Sequence, residues 1–194
     1  MFPGVQPGPA KVARRATSRP ARADDARGFA RGARSETVRR RGARASLAAM
    51  HDAARPSLVS AADFERIVRQ TIPLADLFPW VVDEVFHGRC VLRMDTDGRH
   101  VRAGGTVSGP ALMTLADTAL YLVTLSVVGP EPLAVTSDLS IRFLRKPAPG
   151  PILAEARVLR AGKRLVVGEV AIRAAHEEEL CAHVTGAYAL PPPR

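Results

Sequence analysis

The sequence predicts an α+β domain in which an antiparallel β-sheet wraps one long central helix. Three observations carry that prediction. The stretch "GPALMTLADTALYLVTLSVV" is apolar on almost every side, so a helix formed there must be buried all round. The segments after it, "LAVTSDLSIRFLRKPAPG", "PILAEARVLRAGKRLVVGEVAIRAA" and "ELCAHVTGAYAL", read as strands broken by Gly, Pro and Lys-containing turns. A further strand-like run, Val81 to Met94, precedes the helix. A single buried helix followed by consecutive strands leaves the sheet as its only cover.

The elements follow in order. "SAADFERIVRQTIP" is an amphipathic helix with Ser60 as its cap, Asp63 in its first turn and Pro73 at its end; Ile67 and Val68 face inward. "PLADLFPWVV" is an irregular connector in which Leu77, Phe78 and Trp80 form a lid on the core. "VVDEVFHGRCVLRM" is one strand, and "DTDGRH" has the Asp-Gly chemistry of a turn. Ser108 caps the long helix, Pro110 suits its first turn, and Gly129-Pro130 stops it near Val127 or Val128. About four strands follow as a meander, with "RAGKR" as a hairpin turn, decorated by Lys163 and Arg164, and "AAHEEEL" as a charged one.

Charge divides the chain. The formal net charge is +9, and the first 49 residues hold 12 Lys+Arg against 3 Asp+Glu, while the remainder balances at 16 of each. Residues 1–49 lack hydrophobic periodicity and are expected to stay disordered, with the folded domain spanning 50–194 and Met50 as an alternative start. The segment has no apolar stretch of a secretory signal. Its Arg-rich, acid-poor composition fits a transit peptide only loosely, and no aromatics interleave with its arginines, so nucleic acid is not an expected partner.

Cys90 and Cys181 form no CxxC pair, and the five histidines show no metal-ligand spacing, so they read as surface or strand residues. Neither a disulfide, a metal nor a cofactor is expected. The run Ala111 to Val128 approaches the length of a membrane span, but Asp117 within it would cost about 2.5–3.5 kcal/mol on insertion scales. A core helix of a soluble, cytoplasmic protein is the expectation, with no membrane partner.

Asp117 is the residue that does not fit its surroundings. A carboxylate amid Leu115, Ala116, Ala119 and Leu120 needs partners or a function. One reading is a satisfied structural carboxylate bonded to Thr114, Thr118 or a strand. The other is chemical. The start of the helix, at Ser108 and Gly109, offers free N–H groups and a positive dipole end that suit an oxyanion. Eight residues separate Gly109 from Asp117, about 12 Å at 1.5 Å per residue, too far to act on one carbonyl carbon. A two-fold dimer would bring one subunit's helix start to the other's carboxylate.

"GGTVSGPALMTLADTALY", "VTSDLSIRFLRKPAPG" and "ILAEARVLRAGKRLVVGEVAI" resemble the hotdog-fold acyl-CoA thioesterases of the phenylacetate-degradation (PaaI-like) type, over about Phe86 to Leu190. The resemblance implies a hotdog fold, acyl-CoA thioester hydrolysis without a cofactor, and a homodimer or dimer of dimers. It implies that Asp117 is the general base or nucleophile, that Gly109 N–H binds the thioester carbonyl oxygen, and that Thr136 helps place water or substrate; Ser137 is the adjacent hydroxyl. Ser108, Arg142, Arg145 and Lys146 are the expected substrate-binding residues, the last three for the phosphates of coenzyme A. The chain departs from the family pattern in reading Ser108-Gly109-Pro110 where many members have His-Gly-Gly, and Arg102 where several have Asn. Ser108 cannot shuttle a proton as His can, and Pro110 has no N–H to give.

Three other functions compete. A hotdog protein that binds acyl-CoA without turning it over is favoured by the missing His and by Pro110. A hydratase or dehydratase usually uses a His base, and none is near the helix in the sequence. A nucleic-acid-binding protein would use the basic segment, in which no helix-turn-helix is recognisable.

Overall fold

The computed structural model describes residues 55–192. The basic segment 1–49 and the domain boundary at residue 50 lie outside the described residues.

The amphipathic helix α1 spans Ala61–Thr71 and begins with a full capping box: Ser60 Oγ accepts from Asp63 N–H, and the Asp63 carboxylate accepts from Ser60 N–H. Its buried residues are Phe64 and Val68, with Ile67 packed partly against the same core. A 3₁₀ turn, Pro73–Leu77, follows. Phe78 and Trp80 pack on the core as expected, but Leu77 is 65% exposed and forms no part of a lid. The tight 3₁₀ turn points it outward.

The stretch read as one strand is a hairpin. β1, Trp80–Phe86, and β2, Arg89–Asp95, pair antiparallel around His87-Gly88. Gly88 sits at φ +79°, a left-handed conformation that lets the chain reverse. Alternation continues through both strands, so nothing but that Gly marked the reversal. A second small hairpin, β3 (Val101–Arg102) with β4 (Thr106–Val107), leads to the long helix.

That helix, α2, spans Gly109–Val128 and ends at Gly129 with φ +90°. Leu112, Leu115, Ala116, Leu120 and Leu122 are among its fully buried residues. It is the one helix among the described residues long and apolar enough to cross a membrane, and the sheet wraps it as the core helix of a folded domain. Four strands follow: β5 (Val135–Phe143), β6 (Pro151–Ala161), β7 (Leu165–Ala174) and β8 (Leu180–Ala189).

All six long strands form one antiparallel sheet in the order β1-β2-β6-β7-β8-β5. This is the wrapped arrangement expected, with one correction. Only β6-β7-β8 is a meander; β5 crosses to the far edge and pairs with β8, about fifty residues downstream. The chain between β5 and β6 carries it from one edge to β2, so the two hairpin blocks close around α2.

Two glycines set how near α2 lies to the sheet. Gly168 on β7 and Gly186 on β8 are register partners, and Leu120 fits over both. A Cβ at Gly186 would meet a Leu120 methyl and the Asp138 carbonyl at 2.8 Å, and one at Gly168 would meet Leu120 at 3.0 Å. At the other end Ser126 ties the helix down: its hydroxyl accepts from Gly88 N–H, and its carbonyl from Leu58 N–H. Cys90 and Cys181 are buried free thiols. Burial pushes the Cys181 thiol up to about 11 and Cys90 higher still, so both stay protonated packing groups.

Candidate active site

Asp117 projects from α2 one turn before Leu120 and is half-buried. Its side-chain oxygen Oδ1 accepts two hydrogen bonds, one from Thr136 Oγ1 at 2.7 Å and one from Tyr188 OH at 2.8 Å. The Tyr188 hydroxyl also lies 3.1 Å from the Asp117 main-chain carbonyl. The two donors belong to one row of the sheet, since Thr136 on β5 is the register partner of Tyr188 on β8. Thr114 and Thr118 play no part: their hydroxyls donate to the carbonyls of Pro110 and Thr114 on their own helix. The carboxylate is therefore satisfied by strands, not by its helical neighbours.

The choice between Thr136 and Ser137, open in the sequence, is decided by a bulge. The β5–β8 register slips between Thr136 and Asp138, leaving Ser137 unpaired in the ladder, with its hydroxyl on the Ala187 carbonyl. The slip directs Thr136 at the helix.

Tyr188 has no counterpart among the residues expected from sequence. Its ring is 5% exposed and stacks on Tyr121 at 5.6 Å and 14°. Tyr121 continues to Phe64 of α1 at 5.6 Å, and Phe64 to Trp80 at 5.4 Å. Burial, and then the nearby Asp117 charge, push the Tyr188 phenol far above its ordinary value, so it remains a donor. Burial with Glu131 beside it also raises Tyr121. An aromatic residue in a strand alternation is an ordinary core signal, so nothing in the sequence tied Tyr188 to Asp117.

Asp117, Thr136, Tyr188 and Tyr121 line a cavity of about 380 Å³, closed on one side by Thr71 and Ile72 at the end of α1. A smaller apolar recess of about 140 Å³ adjoins it, walled by Val68, Leu74, Trp80 and the same two tyrosines.

Gly109 is the first residue of α2. Ser108 holds the N-cap position in extended backbone, but its side chain caps nothing, against expectation. A cap oxygen normally bonds the N–H of the second or third helical residue, and the second here is Pro110. Gly109 and Ala111 therefore keep helix-start N–H groups that no Ser108 side chain occupies. The Phe143 ring packs against Gly109 where a Cβ would stand, 3.2 Å from it. Ser108 N–H donates to the carbonyl of His100, whose side chain is buried. So a histidine does lie beside the helix start, brought there by the β3–β4 hairpin. Its Nδ1 accepts from Asp97 N–H, with the Asp97 carboxylate at 3.0 Å, and its ring faces Phe78.

β5 links the two features: Thr136 near its start meets Asp117, and Phe143 at its end meets Gly109. Arg142, Arg145 and Lys146 are all exposed at the Gly109 end, and Pro147 accepts from Val107 N–H just before the helix. Arg142 donates to Ser140 Oγ and Arg145 pairs with Glu179, whereas Lys146 has no ion-pair partner among the described residues. None of the three reaches the Asp117 cavity. Arg102 is exposed on β3. No cluster of His, Cys, Asp and Glu suited to a metal occurs among the described residues.

Residues 104–181 match the family model of the thioesterase superfamily. Among solved structures, a candidate thioesterase from a Silicibacter species is 33% identical, covers 70% of this chain and 94% of its own, and superposes with a TM-score of 0.64. A mutant of the phenylacetic acid degradation protein PaaI from Thermus thermophilus is 24% identical over 61% of this chain and 99% of that one, with a TM-score of 0.56. The Escherichia coli PaaI protein is 21% identical over 68% of this chain and 95% of that one, at 0.57. Among curated proteins none matches the chain.

Proposed function

The chain belongs to the thioesterase superfamily, with thioester hydrolysis as its chemistry, and from that premise we propose that it is a PaaI-like hotdog enzyme whose substrate is an acyl-CoA. The observation that carries the reading is the Asp117 carboxylate, anchored by Thr136 and Tyr188 at the wall of a cavity.

The reaction adds water across the thioester, giving a free acid and CoA thiol. Asp117 either takes a proton from the attacking water or itself attacks the carbonyl carbon, forming an anhydride that water then opens. The carbonyl oxygen becomes an oxyanion in either route. Gly109 N–H, at the positive end of α2, stabilises it, an effect worth about 2.7–4 kcal/mol per donor. Ala111 N–H is a second group at the same helix start.

Gly109 and Asp117 stand eight residues apart on one helix, about 12 Å at the usual rise per residue. We therefore assign the site to a homodimer, in which Asp117 of one protomer faces Gly109 of the partner subunit. Two uncovered surfaces support this. β5 is an edge strand whose Val135 and Phe143 are 58% and 51% exposed. Met113, between Gly109 and Asp117 on α2, is 40% exposed although most of the helix is buried. An unpaired edge strand with exposed apolar side chains on a monomer invites pairing. Arg142, Arg145 and Lys146, at the Gly109 end, suit the phosphates of coenzyme A, and the tyrosine-lined recess suits the acyl group. The buried free thiols fit a cytoplasmic protein.

Incubation with a panel of acyl-CoAs and a thiol reagent tests the proposal. Release of CoA thiol in proportion to protein is the expected result. Acyl-CoA binding without release would instead identify a binding module.

A further inference from the structure

The hydrogen bonds on Asp117 are lopsided. Thr136 and Tyr188 both donate to Oδ1, while Oδ2 accepts none among the described residues. The two donors differ in rigidity. Thr136 is exposed on an edge strand, next to a bulge. Tyr188 lies on β8, paired on both sides, to Thr136 of β5 and Val166 of β7. Its ring is buried and stacked on Tyr121. Its hydroxyl also touches the Asp117 main-chain carbonyl, so it is fixed relative to the helix as well as to the carboxylate.

We propose that Tyr188 is a positioning residue for thioester hydrolysis: it holds Asp117 by Oδ1 so that Oδ2 is the oxygen presented to water or to the thioester carbonyl. The inference rests on Asp117 being the reacting carboxylate. Tyr188 itself touches no reacting atom. It sets the orientation of Asp117 by one donated hydrogen bond. The titratable groups facing Asp117 are Tyr188 from β8 and Tyr121 from its own helix, with Glu131 beyond Tyr121; α1 and β5 present Thr71, Ile72 and Thr136. Tyr188 is thus the titratable neighbour bonded to the carboxylate.

The test is a double-mutant cycle with Tyr188→Phe and Asp117→Asn, read by kcat, KM and melting temperature. Tyr188→Phe keeps the stacked ring and removes only the donor. The expected result is a fall in kcat on the order of tenfold, with KM changed by less than about twofold. In the Asp117→Asn background the same change should lower the residual rate no further. If Asp117→Asn leaves hydrolysis intact, the reading of Asp117 fails and this inference with it. If Asp117→Asn abolishes hydrolysis while Tyr188→Phe leaves kcat unchanged, only the role of Tyr188 is overturned. Should Tyr188→Phe not fold, fluorotyrosine incorporation serves instead, since the chain has two tyrosines and Tyr121→Phe leaves only Tyr188 to be labelled. A more acidic phenol is a stronger donor, so kcat should then change with KM and melting temperature held; an unchanged kcat overturns the proposal.

Discussion

Thr136 Oγ1 donates to Asp117 Oδ1 at 2.7 Å, joining the exposed edge strand to the buried helix at a single polar point. The contact makes the edge strand part of the site. Asp117 is half-buried, so its partners matter both to stability and to the orientation of the group that reacts.

Asp117→Asn separates those two roles. The amide keeps an oxygen able to accept from Thr136 and Tyr188, so the fold should hold and the melting temperature should stay the same or rise. Thioester hydrolysis should fall by a factor on the order of 10²–10⁴. Hydrolysis and melting measured on one preparation decide the matter; full turnover in a well-folded variant removes Asp117 from the mechanism.

A shared site should be open to complementation. Asp117→Ala subunits retain Gly109, and Gly109→Pro subunits retain Asp117 but lack the donor N–H. The exposed Phe143 ring can give way to the added atoms. Each variant alone should be inactive, and mixing them after verified subunit exchange should restore part of the activity. No recovery in confirmed hybrids would show that one subunit holds a complete site.

The seat of the helix depends on the absence of a side chain at Gly186. A methyl there would stand 2.8 Å from both Leu120 and the Asp138 carbonyl. Gly186→Ala should cost about 1–3 kcal/mol, the usual penalty of overpacking. It should also lower kcat, since the displaced helix carries Asp117 away from Thr136 and Tyr188. Denaturant unfolding with unchanged midpoint would refute the close-approach argument.

Stability should fall in alkali through Tyr188. Its phenol is raised by burial and by Asp117, above the ordinary value of about 10. A raised group stabilises the fold fully below its unfolded value and loses that contribution as pH climbs from there toward its folded value. Melting temperature should therefore decline above about pH 10. The decline should be shallower in Tyr188→Phe, which has no phenol at this position to ionise; identical pH curves would show that the group does not couple to folding.

A chain beginning at Met50 should fold and hydrolyse thioesters as the full chain does. Residues 1–49 carry the whole charge excess without hydrophobic periodicity, so they bring little apolar surface to a core. Loss of solubility or activity on removing them would make that segment part of the functional domain.

Much of the fold was legible because its signals are local. Twenty residues of near-continuous apolar character, a serine before them and a glycine after them define α2 wherever the rest of the chain goes. Ser60 with Asp63 writes a capping box in four residues. Asp117 could be singled out because a carboxylate amid leucines and alanines is anomalous on any path of the backbone. Its partners were not legible. Thr136 and Ser137 are equivalent in the sequence until a bulge turns one of them to the helix. Tyr188 lies 71 residues from Asp117, and only the placement of β8 between β7 and β5 brings them together. The split of Val81–Met94 into a hairpin, and the crossing of β5 to the far edge, have the same origin. Periodicity records which way a side chain faces within its own element. Which strands become neighbours is decided by how the whole sheet closes over α2, with Leu120 seated on Gly168 and Gly186, and that closure assembles the site.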